Sequence, residues 1–113
     1  MTPEEKQARL MQISERIKQL KERLVCIPLE IARLEEAKRI TRVQGLQRLG
    51  QAQEQIKEGK NHALIKESAE ESEELQRELR GIGRNMQKLL QEKSDILTEL
   101  DALEAEKKNL FAR

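Results

Sequence analysis

The feature that most constrains this chain is a pair of apolar stripes that mirror each other about residue 60. In the first half, apolar residues recur at alternating steps of three and four from Leu10 to Leu34, and a similar series runs from Ile65 to Leu110. This period is typical of helices that pack as a coiled coil. The numbers of facing residues sum to 120, as expected for a chain that folds back on itself. The facing pairs are Leu10 with Leu110, Ile17 with Leu103, Leu20 with Leu100, Leu24 with Ile96, Ile31 with Leu89 and Leu34 with Met86.

Local signals at the ends of the stripes predict where the helices begin and end. Thr2 and Glu5 have the spacing of a capping box, and Pro3 suits the first helical position. Gly59 can adopt the left-handed conformation that ends a helix, and Asn61 can cap the next one. We therefore predict an all-α fold, a long antiparallel two-helix coiled-coil hairpin. Its parts are a first helix over 3–57, a turn over 58–61 and a second helix over 62–111, in a single domain over 1–113.

Two irregularities interrupt the first helix. Pro28 lacks a backbone donor and clashes with the carbonyl of Leu24, which predicts a kink. A complete break there would instead favour a compact bundle of three or four helices. Within residues 35–45 the regular steps land on Lys38, Thr41 and Gly45, which are poor seam residues, and a shift of one residue recovers Leu46 and Leu49. We therefore predict a slip of the register in that segment.

Composition restricts the class of protein. The chain is 36% hydrophobic and 38% charged, with one aromatic residue and a net charge of +1. So small a net charge gives no field that would attract nucleic acid or an anionic membrane. No apolar run approaches the roughly 18 residues of a membrane span, and the acidic N-terminus is unlike a secretory signal. The single cysteine favours a reducing compartment, so we predict a cytoplasmic protein.

Residues that could support catalysis are scarce. Cys26 and His62 are each the only residue of their type. Together they cannot supply the four ligands of a structural zinc site, and a two-helix rod offers no pocket for a nucleophile. Because Cys26 lies between Leu24 and Ile27, we expect it to be half-buried. We predict no enzymatic activity, cofactor, metal or small-molecule ligand.

The most informative surplus is apolar. A two-helix coiled coil needs two seam positions per heptad, yet further apolar residues lie beside the seam. They either widen the seam or form a third layer of a compact bundle, or they form an interface with a second copy or another protein. The last interpretation predicts a protein-interaction module, such as a scaffold, adaptor or small chaperone, and allows a four-helix-bundle dimer. The predicted interface residues are Val25, Leu29, Leu90, Leu97, Ile40, Val43 and Leu46.

The charges around the turn are separated by sign. Residues 38–66 carry a net charge of +5 and residues 67–78 a net charge of −5. The hairpin lays the basic segment against the acidic one, with Arg42 near Glu78 and Arg48 near Ser72. Opposite charges beside the seam can then pair between the helices and fix the register. A free basic face would instead bind RNA, although no aromatic residue is present there for bases to stack on. The residues of this alternative RNA-binding surface are Arg39, Arg42, Lys57, Lys60 and Lys66.

Overall fold

The structure is a computed structural model that describes residues 1–57, 59 and 62–112, without the side chains of residues 56 and 62–64. Its described residues form two helices and no strand. Helix α1 spans Pro3–Lys57 and helix α2 spans His62–Phe111. These helices confirm the predicted all-α hairpin.

The predicted helix-end signals are formed at both described positions. The Thr2 hydroxyl oxygen accepts a hydrogen bond of 3.2 Å from the backbone N–H of Glu5. The backbone N–H of Lys6 donates to the carbonyl of Thr2 at 3.0 Å. Gly59 has a φ of 79°, a conformation that glycine adopts without a Cβ penalty. The predicted cap at Asn61 lies outside the described residues.

Helix α1 continues through Pro28. On either side of it, Ile27 has no exposed surface and Ile31 is half-buried, so the apolar stripe keeps its phase across the proline. The alternative of a compact bundle of three or four helices needs α1 to end at Pro28 or near Gly45, whereas α1 runs unbroken from Pro3 to Lys57.

The chain divides into two compact units. The terminal unit comprises Met1–Glu30 and Lys88–Arg113, and the turn unit comprises Ile31–Gln87. In the terminal unit the helices are antiparallel, and residues of the predicted seam form its core. The buried side chains are Ile13, Leu20 and Ile27 of α1 and Ile96 and Leu100 of α2.

The turn unit is also antiparallel, because residues 41–55 of α1 line grooves with residues 67–78 of α2 in reverse order. None of its described seam side chains is buried: most are half-buried, and Ile65 is 48% exposed. In α1 the half-buried positions include Thr41, Gly45 and Leu49, whereas Leu46 is 67% exposed. The step that departs from the regular series therefore lies between Gly45 and Leu49, just after the predicted segment 35–45, and Leu46 does not join the seam. Gly45 faces Leu75 so closely that a Cβ there would lie 2.6 Å from Leu75 Cδ1. The absence of a side chain at residue 45 lets the helices approach each other.

Candidate protein-interaction surface

Three ion pairs between the helices lie along one side of the seam of the terminal unit. Arg9 donates to Glu106 at 2.7 and 2.8 Å, using both carboxylate oxygens. The same two-bond arrangement joins Arg16 to Glu99 at 2.8 and 3.1 Å. A third joins Arg23 to Glu92 at 2.5 and 2.9 Å. Planar guanidinium and carboxylate groups that pair through two bonds hold a defined geometry. We call these six residues the ion-paired flank.

The pairs shift the acid–base equilibria of their members. Hydrogen bonds from Arg23 hold the pKa of Glu92 below its ordinary value, and Arg16 and Arg9 do the same to Glu99 and Glu106. Arg23 also donates to Glu30 at 2.8 and 2.9 Å, within its own helix. Its guanidinium therefore serves two carboxylates, and its pKa is raised by both, most by Glu92.

Sequence reasoning missed these ion pairs. It placed the cross-helix charge pairing near the turn, whereas within the described residues the ion pairs between helices all lie in the terminal unit. A signal was present, because the arginines recur at steps of seven and the glutamates do so as well. Their numbers sum to 115 in each pair. A search for oppositely charged residues with the same heptad step and a constant sum would have found them.

The opposite flank of the terminal unit is apolar and exposed. On both helices the ion-pairing residue comes one position before a seam position, two of which hold Lys93 and Lys107. The exposed apolar residues Met11, Val25, Leu90, Leu97 and Phe111 each come one position after a seam residue. Leu29 does not follow a seam residue, but it lies four positions after Val25 and therefore beside it on the helix surface. One position is about 100° of helical rotation, so the two sets lie on opposite sides of the seam. Met11 and Phe111 line a common groove on this side, together with Lys18. We call the apolar flank the set Met11, Val25, Leu29, Leu90, Leu97 and Phe111, with exposures of 68, 70, 61, 53, 46 and 67%.

The predicted interface residues are all exposed, in two separate places. Four of them belong to the apolar flank of the terminal unit. The other three, Ile40, Val43 and Leu46, lie on α1 in the turn unit and are 41, 43 and 67% exposed. Neither a wider seam nor a third layer within this chain covers any of them. Met11 and Phe111 were left out of the predicted interface, although each directly follows a seam leucine.

Cys26 is exposed, so the expectation that it is half-buried was wrong. It lies two positions after Leu24, about 200° around the helix, and therefore points away from the seam that its neighbours face. The side chain of His62 lies outside the described part of the chain.

The described residues of the alternative RNA-binding surface are exposed to solvent, but one of them already forms an ion pair within the chain. Arg39 pairs with Glu36 on the same helix at 2.6 Å, and this partner raises the pKa of Arg39. Arg42, Lys57 and Lys66 are exposed. Lys60 lies outside the described residues. Arg48 and Glu71 line one groove of the turn unit. No ion pair joins the two helices within the described residues of this unit, so the predicted charge pairing across the seam is not formed there.

Two further features of the described residues bear on function. No group of three or more His, Cys, Asp or Glu side chains within them is arranged to hold a metal ion. Within the described residues, neither helix contains a segment that is both long enough and apolar enough to cross a bilayer. Comparison of the chain with protein families, curated proteins and solved structures found no match.

Proposed function

We propose that this chain is a non-enzymatic protein–protein interaction module, a scaffold, adaptor or small chaperone that binds its partners by helix packing. The observation that supports the proposal is the difference between the two flanks of the terminal unit. One flank is satisfied by ion pairs within the chain, and the other exposes six large apolar side chains. Apolar patches of this kind mark interaction surfaces in soluble proteins.

Burial of the apolar flank supplies a driving force for binding. Full burial of a Val, Leu or Phe side chain is worth about 1.5–3 kcal/mol, of which the costs of association consume a part. A partner helix can lie along this flank and cover residues at helical spacing, such as Val25 with Leu29, which are four positions apart. The exposed thiol of Cys26 remains reduced in the cytoplasm, where we place the protein.

Photo-crosslinking in cells tests whether the apolar flank binds proteins. A photoreactive amino acid at Leu97 should form covalent adducts with protein, because this position faces the proposed partner. The matched control is the same amino acid at Asp95, which lies two residues away on α2 and lines the groove of the ion-paired flank. Equal adduct yields at both positions, or none at Leu97, would contradict the proposal.

A double substitution tests the energetic contribution of the flank. Leu29→Glu with Leu90→Glu should abolish association and leave helicity intact, because both side chains are exposed in the single chain. Gln19→Glu with Asn109→Glu adds the same charge at exposed positions off the apolar flank and should leave binding unchanged. Circular dichroism measures the helicity of each variant, and sedimentation measures its association.

The alternative function, an RNA-binding arm, has a narrower basis because Glu36 already neutralises Arg39. It predicts an affinity that falls steeply with salt and with Arg39→Glu and Arg42→Glu. A flat RNA titration at low salt would remove it.

A further inference from the structure

The apolar flank contains a charged level between two apolar levels. In α1 the residues that directly follow Leu10, Ile17 and Leu24 of the seam are Met11, Lys18 and Val25. In α2 those that follow Leu110, Leu103 and Ile96 are Phe111, Glu104 and Leu97. Because these seam residues face each other in pairs, the six side chains form three levels. The levels are Met11 with Phe111, Lys18 with Glu104 and Val25 with Leu97.

The structure supports this arrangement in two ways. Ion pairs at steps of seven on both helices show that α1 and α2 keep one heptad period over residues 9–23 and 92–106. Met11, Lys18 and Phe111 line the same groove. Lys18 and Glu104 are both exposed, as are the four apolar members.

We propose that the partner of this flank is a second copy of the chain, related by a twofold axis parallel to the helices. This inference rests on the proposed function and names the partner. In such a dimer α1 of each copy packs on α2 of the other, and the terminal units form a four-helix bundle. Each level meets the same level of the second copy. Apolar side chains then meet apolar side chains, and Lys18 faces Glu104 of the second copy.

The charges select this orientation over the other symmetric one. With a twofold axis perpendicular to the helices, α1 packs on α1, and the two apolar levels still meet each other. Lys18 then meets Lys18 of the second copy, and Glu104 meets Glu104. Like charges in contact disfavour an interface, whereas a twofold interface must be complementary to itself. The flank is self-complementary only in the parallel arrangement.

Charge reversal tests the pairing across the dimer. Sedimentation of the full chain over a concentration series should show a dimer. Lys18→Glu alone and Glu104→Lys alone should each raise the dissociation constant about tenfold, because both symmetric ion pairs become repulsive. An equimolar mixture of the two variants should recover dimers, because position 18 of each copy then faces the opposite charge at position 104 of the other. Ion pairing within one chain cannot give this recovery.

Single cysteines test the orientation. In a Cys26→Ala background, Met11→Cys mixed with Phe111→Cys should form an interchain disulfide on oxidation. Preferential disulfide formation between Met11→Cys and Val25→Cys would show that the copies are antiparallel and would overturn the proposed axis. Circular dichroism of each variant confirms that it is folded.

The outcomes separate this inference from the proposed function. A wild-type chain that stays monomeric up to about millimolar concentration overturns the second copy as partner, since the dissociation constant of the dimer would then lie above about 1 mM. A dimer whose dissociation constant is unchanged by Lys18→Glu and by Glu104→Lys overturns the proposed dimer as well. If the crosslinker at Leu97 then captures a different protein, the interaction function stands with another partner. If Leu97 captures nothing beyond the Asp95 control, both proposals fail.

Discussion

At the residue scale, the glutamates of the ion-paired flank determine how the hairpin responds to acid. Arginine hydrogen bonds lower the pKa of Glu92, Glu99 and Glu106 from 4.5. A carboxyl group whose pKa is lower in the folded state binds protons more readily when unfolded. Its contribution to stability is therefore complete above pH 4.5 and is lost as the pH falls through the folded pKa values.

We expect the free energy of unfolding to fall as the pH is lowered below about 4.5, by an amount that depends on these three glutamates. Replacing all three by glutamine should flatten this acid dependence, because glutamine does not titrate. Urea unfolding at a series of pH values measures the slope. Glu15→Gln, Glu22→Gln and Asp101→Asn remove three charges elsewhere in the same unit and provide the control. An unchanged slope in the first variant would contradict this account.

At the scale of elements, Pro28 is the least favourable residue within α1. It removes a backbone hydrogen bond and its ring crowds the carbonyl of Leu24, and an interior proline costs about 3 kcal/mol relative to alanine. Because α1 continues through this position, Pro28→Ala should raise the free energy of unfolding by up to about that amount. Pro3→Ala, at the first helical position, is the control and should change stability little. Urea denaturation compares them, and a Pro28→Ala variant no more stable than wild type would refute the prediction.

Sequence predicts the helices well because their signals are local. The apolar period, the Thr2 cap and the positive φ of Gly59 each depend on a few neighbouring residues. The seam of the turn unit is less predictable because it depends on the facing helix. A pattern search prefers Leu46 to Gly45, but Leu75 packs against the small residue and leaves the leucine exposed.

The two flanks of the terminal unit show the same limit. Apolar residues beside the seam could be recognised in the sequence, and those predicted at the interface are exposed. The partner of each arginine is not evident from neighbouring residues, because the chain has 22 basic and 21 acidic residues, and only the shared heptad step and constant sum of the two series point to it. Which of them meet depends on the register and on which side of the seam each one lies.

At the scale of the whole molecule, burial is unevenly distributed between the units. All five side chains that are buried among the described residues lie in the terminal unit, and the described seam side chains of the turn unit are half-buried or exposed. Regions with fewer buried apolar contacts open locally at a lower free energy. We therefore expect backbone amides of the turn unit to exchange hydrogen faster than those around Leu20, Ile27 and Leu100.

A core substitution distinguishes local opening from global unfolding in this exchange experiment. Leu100→Ala removes a buried side chain and should cost about 2–5 kcal/mol. If the terminal unit exchanges only through global unfolding, its amides should speed up in proportion to that loss. The turn-unit amides, which exchange through their own local openings, should keep their rates. Leu46→Ala, at a 67% exposed position, is the control and should leave the terminal unit unchanged. Equal acceleration of both units in Leu100→Ala would mean that the hairpin opens as one cooperative unit, and the uneven burial would then have no energetic consequence.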